Sequence, residues 1–253
     1  MEKFIATSKH DMTNRILKNP GFVSDIKNKS LKLSDILVLY NDGFNWKGVP
    51  LEIMSMYPVI QDQHDSGKTI SVYVCPYTLF SCVYFDNFTP SNQVYNTNLI
   101  LQNKNNIFIP ILNNTYTKDM SPINNTYIRK SEVKIMSMRN AISSFPDCQF
   151  IDIQKIEKKE PIVNISNYPI HKFSDKYEAK QIIYIIEYHS KKQDTYKYTV
   201  IVPKNNVFDI SKNKFGDYFS KMIDKIRDKG GHIYTCYWYA FSSTHENFKI
   251  ISI

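Results

Sequence analysis

The sequence predicts an α+β protein: β-rich, with antiparallel meanders in two halves that read as copies of one unit, and short helices packed against them. Three observations predict it. The stretch from Lys68 to Asp86, KTISVYVCPYTLFSCVYFD, is the densest run of strand-forming residues in the chain. In it Ile70, Val72 and Val74 alternate with Ser71, Tyr73 and Cys75. Short β-branched and aromatic runs recur between turn signals, whereas helical periodicity is confined to a few brief segments. Finally, MRNAISSFPDCQFIDI from Met138 and WYAFSSTHENFKIISI from Trp238 both order a short helix, a turn and a strand after strong strands.

Residues 1–30 are polar and weakly patterned, and read as an extended arm with one turn of helix near Met12 to Leu17. Ile36 to Tyr40 reads as a strand closed by the turn Asn41-Asp42-Gly43. Pro50 suits the first position of a short helix, Leu51 to Met56. His64-Asp65-Ser66-Gly67 is a turn into the central strands. Pro76 cannot donate to a ladder and ends the first of these, and Leu79 to Phe85 resumes the pattern. Val94 to Leu101 reads as one strand, Asn103 to Asn106 as a turn, and Ile107 to Ile111 as the next strand. An Asn/Thr/Pro-rich loop from Asn113 to Thr126 follows.

Ser137 is a candidate N-cap for a helix carrying Met138, Ala141, Ile142 and Phe145, stopped by Pro146. Phe150 to Ile153 reads as a strand. The charged stretch 154–161 is the best linker, which sets a first β-rich unit at 31–153 and a second at 162–253. In the second, Gln181 to His189 and Thr195 to Val202 are strands joined by 190–194. Phe219, Met222, Ile223 and Ile226 mark an amphipathic helix stopped by Gly230-Gly231. Lys249 to Ile253 is the last strand.

The chain has 253 residues, 42% of them hydrophobic and 14% aromatic, ample for a packed core. Its seven glycines are few, and the abundance of Asn, Lys, Ile and Tyr follows AT-rich codons, as in a large DNA virus or a protist. A net charge of +8 permits weak binding to nucleic acid or an anionic surface, but the lysines are scattered and arginine is scarce. Cys75, Cys82, Cys148 and Cys236 form no CxxC pair. With no apolar run of ~18 residues and no secretory leader pattern, the expectation is an intracellular, cytoplasmic protein (host cytoplasm or virion if viral) with free buried thiols and no membrane span. The sequons at Asn87, Asn113, Asn124 and Asn164 are then chance matches in an Asn-rich chain. No metal or cofactor is expected.

Gly67-Lys68-Thr69 resembles the tail of a phosphate loop, yet Asp62 stands where that loop needs glycine and a strand follows where it needs a helix. For catalysis the candidates are Cys75 at the strand break, with Asp62, His64 and Asp86 as acid–base partners. Against this, no second thiol accompanies Cys75, whose plain reading is a buried structural cysteine. The ligand-binding candidates are Tyr73, the pair Asn96 and Asn98 on one strand face, and Trp238 with Tyr239, whose rings stack or pack.

Several segments in order carry a resemblance: GVPLEIMSMYPVIQD (48–62), GKTISVYVCPYT (67–78) with VYFD (83–86), YNTNLIL (95–101), MRNAISSFPDCQF (138–150) and CYWYAFSSTHENFKI (236–250). Together they resemble the mostly prokaryotic domain-of-unknown-function family recognised by a Tyr-Cys-Pro-Leu-Cys motif. Thr78 stands at that motif's second cysteine, and Tyr57-Pro58 at a family His-Glu. The family carries no assigned activity, so the resemblance implies architecture. The expected function is a non-enzymatic binding or structural module. The alternatives are a hydrolase or redox-type enzyme centred on Cys75, and a nucleic-acid-binding protein.

Overall fold

The structure is a computed structural model that describes residues 5–24, 31–104, 106–123, 128–162, 174–190, 195–203, 225–226, 228 and 231–252. In chain order the elements begin with three short strands, β1 (Ile5–Thr7), β2 (Ile16–Lys18) and β3 (Phe22–Val23). The hairpin β4 (Ile36–Asn41) and β5 (Trp46–Pro50) then leads into helix α1 (Leu51–Met56). Next come β6 (Val59–Gln63), β7 (Thr69–Val74) and β8 (Ser81–Tyr84), followed by β9 (Thr89–Tyr95), β10 (Asn98–Asn103), β11 (Asn106–Ile109) and β12 (Asn114–Thr117). Strands β13 (Lys130–Ser131) and β14 (Lys134–Ser137), helix α2 (Met138–Ser144) and strand β15 (Gln149–Ile151) complete the first part. The second part holds β16 (Ile182–Ser190), β17 (Thr195–Val202), β18 (His232–Tyr237), α3 (Trp238–Ser242) and β19 (Lys249–Ser252).

The strands form four sheets, and most of their pairs are antiparallel, as the α+β reading expects. A hairpin sheet runs β1-β9-β10-β11-β12, a central sheet β13-β8-β7-β6-β2, a flanking sheet β14-β4-β5-β15-β3, and a C-terminal sheet β18-β16-β17-β19. The central and C-terminal sheets act together as a middle layer, which their alternation shows. Tyr73 and Cys75 of the central sheet join Ile183 and Ile185 in one core, against the hairpin sheet and α3. Ile70, Val72 and Val74 join Ile182, Tyr184 and Ile186 in the other, against the flanking sheet and α1. Both cores therefore mix residues from either side of the 154–161 stretch. A third, smaller cluster lies where α2 covers the flanking sheet, around Leu37, Leu39, Met138 and Phe150.

The flanking and C-terminal sheets share one layout. In each, a central antiparallel pair (β4–β5, β16–β17) is flanked by an antiparallel strand on one side (β14, β18) and a parallel one on the other (β15, β19). In each, a short helix (α2, α3) links those two outer strands.

Four expectations need correction. The N-terminal arm has no helical turn at Met12–Leu17; instead β1, β2 and β3 each add to a different sheet, pairing with β9, β6 and β15. Val94–Leu101 is not one strand but the turn of a hairpin, in which Tyr95 faces Asn98 and both Asn96 and Thr97 take left-handed φ of 45° and 70°. Those values define a two-residue hairpin turn of the type that usually advertises itself as Asn-Gly. The 113–126 loop contains β12, and Pro50 is the N-cap of α1, one residue before its first helical position. Most of the helix expected around Phe219–Ile226, and the 191–194 turn, lie outside the described residues. The Ser137 cap holds: its hydroxyl accepts from the Asn140 N–H at 3.4 Å.

One buried ion pair crosses the middle layer. Lys130 on β13 meets Glu187 on β16 at 2.5 Å, with side chains only 2% and 4% exposed. Lys130 also lies over the Tyr234 ring, 5.0 Å from its centroid. Removing one partner leaves the other charged and desolvated, so Lys130→Met should cost about 3–5 kcal/mol of stability. Lys130→Met combined with Glu187→Leu should recover most of that. Urea unfolding of both variants checks the expectation, and an additive loss in the double variant would refute it.

Candidate functional site

The turn after β7 organises the site. Pro76 offers no N–H, so the chain leaves the ladder and closes on itself. The Cys75 N–H donates to the Phe80 carbonyl and the Leu79 N–H to the Cys75 carbonyl, both at 2.9 Å. Leu79 takes a left-handed φ of 60°. Cys75, Tyr77 and Thr78 are fully buried, so every polar group here needs a partner. The Thr78 carbonyl accepts from the Tyr237 N–H (2.9 Å) and the Tyr77 carbonyl from the Tyr239 hydroxyl (2.7 Å).

Most of the ligand-binding candidates named from sequence gather around this turn, with their polar groups bonded inside the protein. Thr78 Oγ1 donates to Asn98 Oδ1 (2.8 Å), Asn98 Nδ2 to the Asn96 carbonyl (3.2 Å), and Asn96 Nδ2 to Ser243 Oγ (2.7 Å). Asn96 sits in the hairpin turn and Asn98 begins β10, so the two do not share a strand face. The Tyr73 hydroxyl donates to the Leu99 carbonyl at 2.9 Å. Cys75 Sγ accepts from the Leu99 N–H at 3.3 Å and faces the Thr97 carbonyl at 3.9 Å. Trp238 packs edge-on to Tyr177 and donates from Nε1 to the Ser174 carbonyl at 2.7 Å.

The four catalytic candidates do not share a cavity. Asp62 pairs across the ladder with Ile70, and Cys75 lies five residues further along, roughly 17 Å at strand rise. His64 and Asp86 stay at the Asp62 end, where the His64 ring packs 4.8 Å from Phe85. There Asp62 accepts from the Tyr40 hydroxyl and from Lys47 Nζ, each at 2.7 Å, and Lys47 also reaches Asp42 at 2.8 Å. Burial pushes the Asp42 carboxyl up, but the Lys47 contact and the N–H groups of Asn45 and Phe44 outweigh it, leaving it below its ordinary value. The Tyr40 phenol is held well above its usual range by burial and by Asp62. Asp86 accepts from Asn103 Nδ2 at 2.6 Å, and His64 contacts Asp65 and Ser66. These contacts tie β4, β5 and β6 together.

A cavity does open beside Cys75. Leu51, Met54 and Ser55 of α1, the Val74–Pro76 segment, Leu79, Ile162, Lys180 and Tyr237 enclose about 260 Å³ at the seam between α1 and β18. The Ile162 N–H fastens its wall to the Ser55 carbonyl at 2.9 Å. On the far side of α1 lies a wider groove of about 820 Å³, with Leu31, Ile36, Ile153 and Ile156 beside Asp35 and Glu52. Leu51 and Ser55 line both. Sequence reasoning named Cys75 but missed Met54, Ile162 and Lys180, which only tertiary contact brings to it. Among the described residues no three His, Cys, Asp or Glu side chains gather as a metal site, and no helix is long and apolar enough to cross a membrane. Compared with protein-family models, curated proteins and solved structures, the chain matches none.

Two histidines titrate abnormally. His245 stacks on Phe241 with ring centroids 4.2 Å apart, and burial lowers its pKa to about 4. Burial, then the nearby Lys130 charge, lowers His232 to about 4 as well. The unfolded chain, near 6.5, takes up these protons first. Their contribution is therefore complete above about pH 6.5 and is lost as pH falls towards 4. Thermal melts should show the midpoint dropping across that window. His232→Phe with His245→Phe should flatten the dependence, and an unchanged slope would refute the assignment.

Proposed function

We propose that this chain is a non-enzymatic binding module, and that the seam cavity beside Cys75 is its ligand site. One observation carries the reading: the cavity borders Cys75, yet among the described residues its lining holds no Asp, Glu or His, and the thiol is bonded inward to the β9–β10 hairpin. Such a site can hold a molecule, and its described lining offers no carboxylate or imidazole to act as a general base. Its position between two parts of the fold is where small-molecule sites concentrate.

The same reading treats the chain as a divergent relative of the Tyr-Cys-Pro-Leu-Cys family. The matched layouts of the flanking and C-terminal sheets support descent from one duplicated unit, with 51–133 inserted in the first copy. Four free, buried cysteines support a reducing, intracellular setting. Burial pushes the Cys82 and Cys148 thiols up to about 12, which fits inert structural thiols.

Two measurements test the reading. Native protein should resist thiol reagents at neutral pH and release four reactive thiols only on unfolding. A fragment screen followed by methyl chemical shifts should perturb Leu51, Met54, Leu79 and Ile162, and Ser55→Trp, which fills the cavity from a half-buried position, should abolish those shifts. Rapid labelling of Cys75 with protection by a small molecule would favour the enzyme instead. Fragments binding elsewhere, with these methyls silent, would remove the site.

A further inference from the structure

We infer that the seam cavity takes an uncharged molecule: an apolar body with one hydroxyl or carbonyl, which meets the Tyr237 hydroxyl. This rests on the cavity being a ligand site and adds the chemistry of what enters it. Its walls are mostly apolar, from Leu51, Met54, Val74, Pro76, Leu79 and Ile162. Met54, Val74, Leu79 and Ile162 are buried, so this surface is already assembled. Backbone donors around it are engaged elsewhere. The N–H groups of Val74, Cys75, Leu79, Ile162 and Tyr237 donate to the carbonyls of Pro58, Phe80, Cys75, Ser55 and Thr78 respectively, at 2.9 to 3.0 Å. Pro76 has no N–H to give.

The polar side chains agree. Ser55 Oγ donates its proton to the Glu52 carbonyl at 2.6 Å, and the Cys75 sulfur lies between the Leu99 N–H and the Thr97 carbonyl. Lys180 is exposed and has an interaction of its own within the protein, and an exposed, water-screened charge offers a ligand little. Among the described residues the lining holds no Asp, Glu or His to meet a cation. A carboxylate or an ammonium entering here would shed its hydration without gaining partners in return. Tyr237 differs: it is half-buried, and its hydroxyl makes no hydrogen bond among the described residues. A phenol can donate one bond and accept others, which suits a single hydroxyl or carbonyl. About 260 Å³ corresponds to roughly nine water volumes at ~30 Å³ each. That fits a medium-chain alcohol or ketone of about ten non-hydrogen atoms and is too small for a long lipid or a peptide.

Titration calorimetry on the full chain at neutral pH, with octan-1-ol, octanoate, octylammonium and ethylbenzene, separates the parts of the claim. Octanol should bind best of the three octyl compounds, with both ions at least tenfold weaker. Tyr237→Phe, with folding checked by circular dichroism, should weaken octanol about fivefold relative to ethylbenzene, as expected for loss of one neutral hydrogen bond. Octanoate or octylammonium binding as tightly as octanol would overturn the preference for an uncharged ligand while leaving the cavity a ligand site. An unchanged octanol-to-ethylbenzene ratio in Tyr237→Phe would overturn the polar contact. If none of the four binds, or binding survives Ser55→Trp, the ligand-site reading itself fails.

Discussion

A turn that buries its own peptide groups must find donors and acceptors for them, and the Cys75–Phe80 turn finds them in three different parts of the chain. Its carbonyls at Tyr77 and Thr78 are taken by Tyr239 and Tyr237, its Thr78 hydroxyl by Asn98, and the Cys75 sulfur by the Leu99 N–H. Leaving any one of these groups unpaired would cost about 1–3 kcal/mol. The hairpin sheet, the central sheet and the β18–α3 corner are therefore held in one register by a six-residue segment. Pro76 makes this necessary, because it removes the donor that would have let β7 run on.

The same constraint explains the middle layer. Strands buried on both faces cannot slip by one residue without exchanging their two cores, since each step moves a side chain to the opposite face. β7 sends Tyr73 to one core and Ile70, Val72 and Val74 to the other, and β16 sends Ile183 and Ile185 one way and Ile182, Tyr184 and Ile186 the other. The Lys130–Glu187 pair then fixes the central sheet against the C-terminal one. Such a pair adds little net stability against an apolar substitute, but it strongly penalises any arrangement that separates the two charges. Burial on both faces is what leaves the polar candidates of the central sheet with internal partners and not solvent.

What the sequence made legible was local. Helix α1 runs from Leu51 to Met56 as its pattern predicts, the Ser137 cap is in place, and β7 alternates in the predicted sense. The β9–β10 turn was hidden because Thr97 occupies a left-handed position where glycine would have signalled it. Strand β6 was hidden because VIQDQ carries polar residues that the fold buries: Asp62 inward to Tyr40 and Lys47, and Gln61 to the Phe88 carbonyl. The N-terminal strands are two or three residues long and exist only through their partners. No local pattern could have announced them.

The site was legible in one residue only. Cys75 marks it because a cysteine before a proline at a strand end is conspicuous, but the cavity is made by backbone placement and not by the thiol. Its wall on α1 depends on the β5–α1 junction at Pro50, its opposite wall on where β18 ends at Tyr237, and its closure on Ile162 bonding to Ser55. Pro50 and Ser55 stand more than a hundred residues from Ile162 and Tyr237, so nothing in a local window joins them. α1 is moreover a single short helix with a cavity on each side, and Leu51 and Ser55 face both. A helix of six residues has too few internal hydrogen bonds to be stable alone. Its position is set by Ile53, Met54 and Met56 beneath it, so a molecule that shifts one wall of the seam cavity also shifts a wall of the groove behind it.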